Sequence, residues 1–198
     1  MRQFVVVGHE APTTHEFSLD DLAGAAGRLD VLCRCVTSAF FLSHDIRTEV
    51  RVHLLLRDEY TVTFEGSELR RLNPDERSTA ALVRNALEER DEAIGHVPVE
   101  TSPGVTLTRR GFEGTLSAIA DEGTVVQLHE DGAPAVEVDP PTDPVFVLSD
   151  HRDFAAEERD VLGSVADRQL SLGPERLHAD HAITVAHNYL DTDGFRRY

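Results

Sequence analysis

The sequence predicts an α/β fold, and three observations lead there. Val145–Leu148 and Gln169–Leu172 are short runs with the length of buried strands, and Phe4–Val7 is a third. Elsewhere apolar residues recur at spacings of three and four, as in Leu29, Leu32, Cys33, Val36 and Phe40, which is the period of a helix with one buried face. The two late strands end in loops rather than in hairpin partners. Open α/β sheets bind ligands at such carboxyl-end loops.

Taken in order, Phe4–Val7 is a first buried strand, ended by Gly8. Ser18 followed by Asp20 and Asp21 predicts a helix start, with acids favoured by the helix dipole. The helix from Leu29 places Asp30 and Arg34 one turn apart on its other face. They read either as a solvent-exposed ion pair or as substrate-facing groups. Val50, Val52, Leu54 and Leu56 alternate along a strand, and Arg57-Asp58-Glu59 turns the chain into Tyr60–Phe64. Arg47 lies in the loop before it, placed to cap helix carbonyls or to meet a substrate.

Asn73-Pro74-Asp75-Glu76 predicts a helix with Asn73 as cap and Pro74 in the first position. Capping is one reading of Asp75, and proton transfer is the other. Arg70, Arg71 and Arg77 surround that helix start, a combination that attracts phosphate. Val97–Leu107 is expected to be extended, Gly111–Ala120 a short helix, and Thr124–Leu128 a strand ended by a turn at His129–Gly132. Pro140, Pro141 and Pro144 stiffen the approach to Val145. After Leu172, Gly173 permits a tight turn and close backbone approach, and Pro174 predicts the first position of a last helix. Leu177, Ile183, Ala186 and Leu190 share its buried side with Ala179 and Ala182.

The 198 residues suit one domain with a substantial core. There are 36 acidic residues against 19 basic, a net charge of −17, and every basic residue is Arg. A Lys-free chain this acidic fits a protein adapted to very high salt, as in a haloarchaeon-like source. At ordinary ionic strength its charge repels nucleic acid. At about 1 M salt the Debye length is only roughly 3 Å, so local Arg contacts decide. The start MRQFVVVGHE is too short an apolar run for a signal peptide, and no segment reaches the length of a membrane helix. A cytoplasmic, soluble protein is expected.

Cys33 and Cys35 do not face each other on a helix, so neither a disulfide nor a zinc pair is expected. His178, His181 and His187 give no third ligand at helical spacing, and no metal site is expected. Ser171 precedes Leu-Gly-Pro, which is not a hydrolase nucleophile elbow. No Walker or dinucleotide fingerprint appears. The late loops would hold a ligand with backbone groups and small apolar residues. That suits an adenine-containing cofactor carrying its own reactive centre.

Several separated motifs then occur in one order. They are L-x-E-D-G from Leu128, V-L-x-D-H from Val147, S-L-G-P from Ser171 and A-D-H-x-I-x-x-x-H-N-x-L-D from Ala179. Upstream stand Ser18–Cys35, S-H-D-I-R at Ser43–Arg47 and Gly66–Ser78. This pattern, running from Phe4 to Asp191, resembles the SPOUT methyltransferases, and within them the archaeal tRNA pseudouridine N1-methyltransferases. The resemblance implies a SPOUT α/β knot, with a mostly parallel sheet flanked by helices and a deep trefoil knot over about residues 124–191. It also implies a homodimer and S-adenosylmethionine.

The same resemblance places the cofactor against Leu128, Ser149, Asp150, Asp153, Ser171, Leu172, Gly173, Leu177, Ala182 and Ile183. Three positions depart from the family pattern: Ser149 and Asp153 stand where glycines are usual, and Ala182 where Cys is usual. The implied reaction is N1-methylation of pseudouridine in the TΨC loop of tRNA, at position 54. Asp30, then Asp75, are the candidates for the base. Arg34 is the candidate catalytic cation, and Arg47, Arg71 and Arg77 are the candidate RNA contacts. The alternatives are N1-methylation of a ribosomal RNA pseudouridine, and a non-catalytic knotted RNA-binding protein.

Overall fold

The computed structural model describes residues 1–70 and 72–198. Among the described residues eight strands form one sheet. They are β1 (Arg2–Gly8), β2 (Val50–Leu56), β3 (Tyr60–Glu65), β4 (Val99–Ser102), β5 (Val105–Thr108), β6 (Thr124–Pro134), β7 (Pro144–Ser149) and β8 (Arg168–Ser171). Their order across the sheet is β4-β5-β3-β2-β1-β7-β6-β8. From β2 to β8 every neighbour pair is parallel, whereas β3, β4 and β5 extend one side as antiparallel strands. The expected mostly parallel α/β sheet is therefore present.

Five helices cover it: α1 (Leu29–Phe40), α2 (Glu76–Glu88), α3 (Phe112–Ile119), α4 (Ala156–Val165) and α5 (Ala179–Asp191). Strand alternation sorts the core onto two faces. Phe4 and Val6 of β1 pack with α1, α2 and α5, while Val5 and Val7 pack with Phe112, Leu116 and Leu162 from α3 and α4. Burial on both faces explains why β1 and β7 read as unbroken apolar runs.

Several expectations need correction. Ser18–Arg28 forms turns, not a helix, because the Asp21 carboxylate accepts from the amides of Gly24 and Ala25 and closes the chain locally. The cap of α2 is Asp75, not Asn73, so the helix starts two residues later than predicted. Helix α5 starts at Ala179, well after Pro174. Strand β6 does not stop at Leu128. It bends so that both Leu128 and Ala133 pair with Leu170 of β8. Gly132 makes this possible, since a Cβ there would stand 2.5 Å from the Leu170 carbonyl carbon. Helix α4 was not expected, although Val161, Leu162 and Val165 carry its period.

Candidate active site

At the carboxyl ends of β7 and β8, and against the middle of β6, the chain leaves an open cleft of about 220 Å³. Each strand contributes a leucine to its floor: Leu128, Leu148 and Leu170. Of the ten residues expected at the cofactor, Leu128, Ser149, Asp150, Asp153, Ser171, Leu172, Gly173, Leu177 and Ala182 all line this cleft. Ile183 does not: it is fully buried and packs in the core beneath. Nothing lies within 4 Å of the position a Cβ would take on Gly173, so the backbone there is open to a ligand. Small Ala179 and Ala182 present the start of α5 to the cleft. Apolar floor, bare backbone and a helix N-terminus fit a nucleoside-bearing cofactor with an anionic end.

Side chains unforeseen from the sequence shape the mouth. Arg176 pairs with Asp153 and lies 3.3 Å from Glu130, so it joins the loop after β7 to strand β6. Asp153, where the resemblance leads one to expect glycine, holds an arginine rather than leaving space. The hydroxyl of Ser149 donates to the Arg152 carbonyl and closes the β7–α4 loop on itself. Asp150 meets the cleft as part of this loop, but its carboxylate has no solvent contact and turns away toward His9.

Beside the cleft, α1, α2 and α5 bring charges together around Arg34. Its Nη1 donates to Asp30 Oδ2 at 2.8 Å and to Glu76 Oε1 at 3.2 Å, and its Nε lies 3.4 Å from Asp180 Oδ2. Arg28 holds the same Asp30 through two bonds of 3.0 and 3.2 Å. Burial works against the Asp30 charge, yet the bonds from Arg28 and Arg34 outweigh it and hold the carboxyl below the usual range. Asp180 sits on the turn of α5 between Ala179 and Ala182. Its Oδ1 is buried without a hydrogen-bond partner. Asp180 and Glu76 were missed because neither is local in sequence to Arg34.

The other expected residues are more dispersed. Asp75 is the α2 cap: Oδ1 accepts from the Ser78 amide at 2.8 Å and Oδ2 from the Ser78 hydroxyl at 2.7 Å. These bonds, first from the hydroxyl and then from the amide, lower its pKa. Arg77 is exposed and pairs with Asp20. Arg47 reaches the other end of the molecule, where it and Arg2 each stand 2.5 Å from Asp191, near the end of α5. Arg71 lies outside the described residues. Among the described residues no group of three or more His, Cys, Asp or Glu could hold a metal ion.

Residues 1–195 match a family described as "Putative SAM-dependent RNA methyltransferase". Over 198 residues the chain is 79% identical to a tRNA (pseudouridine(54)-N(1))-methyltransferase of Haloarcula marismortui, with 100% of both chains covered. It is 71% identical to the protein of the same description from Haloferax volcanii, again with 100% of both covered. A crystal structure of Archaeoglobus fulgidus Nep1 bound to S-adenosylhomocysteine shares the fold at a TM-score of 0.61. That likeness has 13% identity and covers 92% of this chain and 94% of the other. A sheet with its cleft over β6 and the carboxyl ends of β7 and β8, and a family match over nearly every residue, lead to one conclusion: the chain belongs to the S-adenosylmethionine-dependent RNA methyltransferases.

Proposed function

We propose that this chain methylates N1 of pseudouridine 54 in the TΨC loop of tRNA. The observation that carries the reading is the full-length identity to relatives of that description, 79% for the Haloarcula marismortui protein. The cleft suits S-adenosylmethionine, held by Leu128, Ser171–Gly173, Leu177 and Ala182. When bound, that cofactor supplies an electrophilic methyl group on a sulfonium sulfur.

The chain's own residues need only bind, orient and move one proton. Pseudouridine exposes an N1–H that uridine lacks. Removing it leaves a nitrogen nucleophile, which takes the methyl while the sulfur keeps the bonding electron pair. Arg34, partly exposed and reaching three carboxylates from α1, α2 and α5, is suited to steady the developing anion. Asp30, with both oxygens bound by arginine, orients Arg34 and is a weak proton acceptor. Asp180, whose Oδ1 is buried without a hydrogen-bond partner at the start of α5, is a second candidate acceptor. Arg77, whose pair with Asp20 is exposed at the start of α2, is the candidate phosphate contact; Arg47 is largely buried in its pair with Asp191.

The reading extends to a single domain whose 124–191 segment is knotted. It also extends to a homodimer in the cytoplasm at high salt. No helix among the described residues is long and apolar enough to cross a membrane, and exposed Val136 and Leu177 offer apolar contact near the cleft. The test is nucleoside mass spectrometry of tRNA from a deletion strain. The reading requires 1-methylpseudouridine to vanish from tRNA while pseudouridine remains; loss from ribosomal RNA instead would move the substrate.

A further inference from the structure

His9 stands where β1 ends, outside the groups used for methyl transfer. Its Nδ1 lies 2.9 Å from Asp150 Oδ1, and its Nε2 lies 3.0 Å from Glu158 Oε2. Its backbone amide donates to the second Asp150 oxygen at 2.9 Å. Ionised carboxylates only accept hydrogen bonds, so both ring nitrogens must donate. The geometry therefore requires an imidazolium.

Each carboxylate is also fixed to backbone. Asp150 Oδ1 accepts from the Arg152 amide at 2.9 Å, which curls the loop after β7. Glu158 Oε2 accepts from the Ala155 amide at 2.7 Å, which closes the first turn of α4. One ring thus joins the end of β1, the 149–153 wall of the cofactor cleft and the start of α4.

We infer that His9 is a positioning residue for cofactor binding: gripped between Asp150 and Glu158, it holds the 149–153 loop in the shape that meets S-adenosylmethionine. The inference rests on reading the cleft as the cofactor site. A neutral ring has one N–H and can satisfy only one carboxylate, turning a lone pair toward the other. Asp150 has no solvent contact, so loss of the ring's N–H leaves a buried charge without its cation, held only by the His9 and Arg152 amides. Movement of the loop is the relief.

Other charges face this cluster from every side. Glu10 follows on the same strand end and pairs with Arg152 of the loop. His151 lies 3.6 Å from Asp150 and 3.9 Å from Glu10. Arg28, at the start of α1, also feels the Asp150 charge. Arg57 donates to the Glu10 carbonyl at 3.2 Å. Bonds from Asp150, then Glu158, raise His9 to about 9, so the ring is charged at neutral pH.

The test is calorimetric titration of the full chain with S-adenosylmethionine at molar KCl, from pH 7 to 10. Wild-type affinity should hold at pH 7–8 and fall above about 9. His9→Gln should bind on the order of tenfold to a hundredfold more weakly at pH 7, the scale of a charge-assisted hydrogen bond, and should lack the wild-type step. The variant's own pH series removes the titration of the cofactor amine. At saturating cofactor its kcat should approach wild type, so the defect appears in KM. His9→Arg, which keeps a cation with several donors, should recover part of the affinity. Glu158→Gln provides a second route should His9→Gln fail to fold; it should weaken binding in the same direction. Folded His9→Gln with wild-type affinity and pH profile would overturn the inference. Wild-type protein that binds no S-adenosylmethionine at any pH would instead sink the proposed function.

Discussion

Arg34 on α1 lies 3.4 Å from Asp180 on α5, and so ties the start of the cofactor helix to the helix that carries Asp30. Asp30 is bound by two arginines, whereas Asp180 keeps a buried oxygen free. Asp180→Asn should lower the single-turnover rate by roughly 10² to 10⁴ with partial recovery at high pH, where N1–H ionises unaided. Asp30→Asn should cost less and show no such recovery, because it disturbs the aim of Arg34. Rates against pH at saturating RNA and cofactor decide it; the opposite ranking returns the base to Asp30.

Ser149→Gly restores a residue usual in the resembling family, and smaller bulk alone would tighten cofactor binding. The structure reverses that expectation, since the Ser149 hydroxyl closes the loop on Arg152. Its loss should weaken S-adenosylmethionine binding by a few-fold, in line with a hydrogen bond worth about 1 kcal/mol. Calorimetry that shows tighter binding would mean that bulk, not loop closure, governs this position.

Gly132→Ala should destabilise the protein by about 1–3 kcal/mol, the usual cost of overpacking. The added carbon meets Leu170 backbone, which cannot swing aside as a flexible side chain would. The urea midpoint reads this loss; an unchanged midpoint would show that β6 yields there.

Arg77→Ala should weaken tRNA binding and leave cofactor affinity alone, since Arg77 is exposed and remote in contacts from the cleft. Arg47→Ala should instead lower stability, because it strips Asp191 of one of its two arginines. Filter binding and thermal melting of the pair separate the roles. A stable Arg47→Ala protein with impaired RNA binding would restore Arg47 as a substrate contact.

Acid should loosen the fold before the carboxylates titrate. Burial pushes His53 and His187 down to about 3, so both are neutral when folded. Unfolded histidine titrates near 6.5. Their contribution is present above about 6.5 and is lost as pH falls from there toward 3, with up to two protons taken up on unfolding. His9 has the opposite sign: raised to about 9, it stabilises fully below about 6.5 and ceases to do so as pH climbs through 9. Urea midpoints should decline from pH 7 to pH 5, and a flat profile there would discount the buried histidines.

What the sequence made legible was local and periodic. Helix α1 begins at Leu29, where its apolar spacing begins, and β7 is the run Val145–Leu148 with one residue added at each end. The cofactor loops were legible through motif order, and Gly173 alone carried a physical reason. What stayed hidden needed distance in the chain. His9 finds Asp150, and Arg34 finds Asp180, only after the strands have paired. Asp75 looked equally suited to cap or to catalyse until Ser78 was seen to occupy both oxygens. Ser18 failed as a helix start because Asp21 spends its oxygens on its own turn.

Arg176 joins Asp153 and Glu130 across the cleft mouth, and its side chain is well exposed. Exposed ion pairs relax as ions crowd around them, and at about 1 M salt screening sets in within roughly 3 Å. The hold of Arg176 on its two carboxylates therefore slackens with salinity. Ligand exchange measured at low and at molar salt should then differ, faster in the saltier medium. For a protein with a net charge of −17, salt would then set the pace of ligand exchange as well as screen the surface.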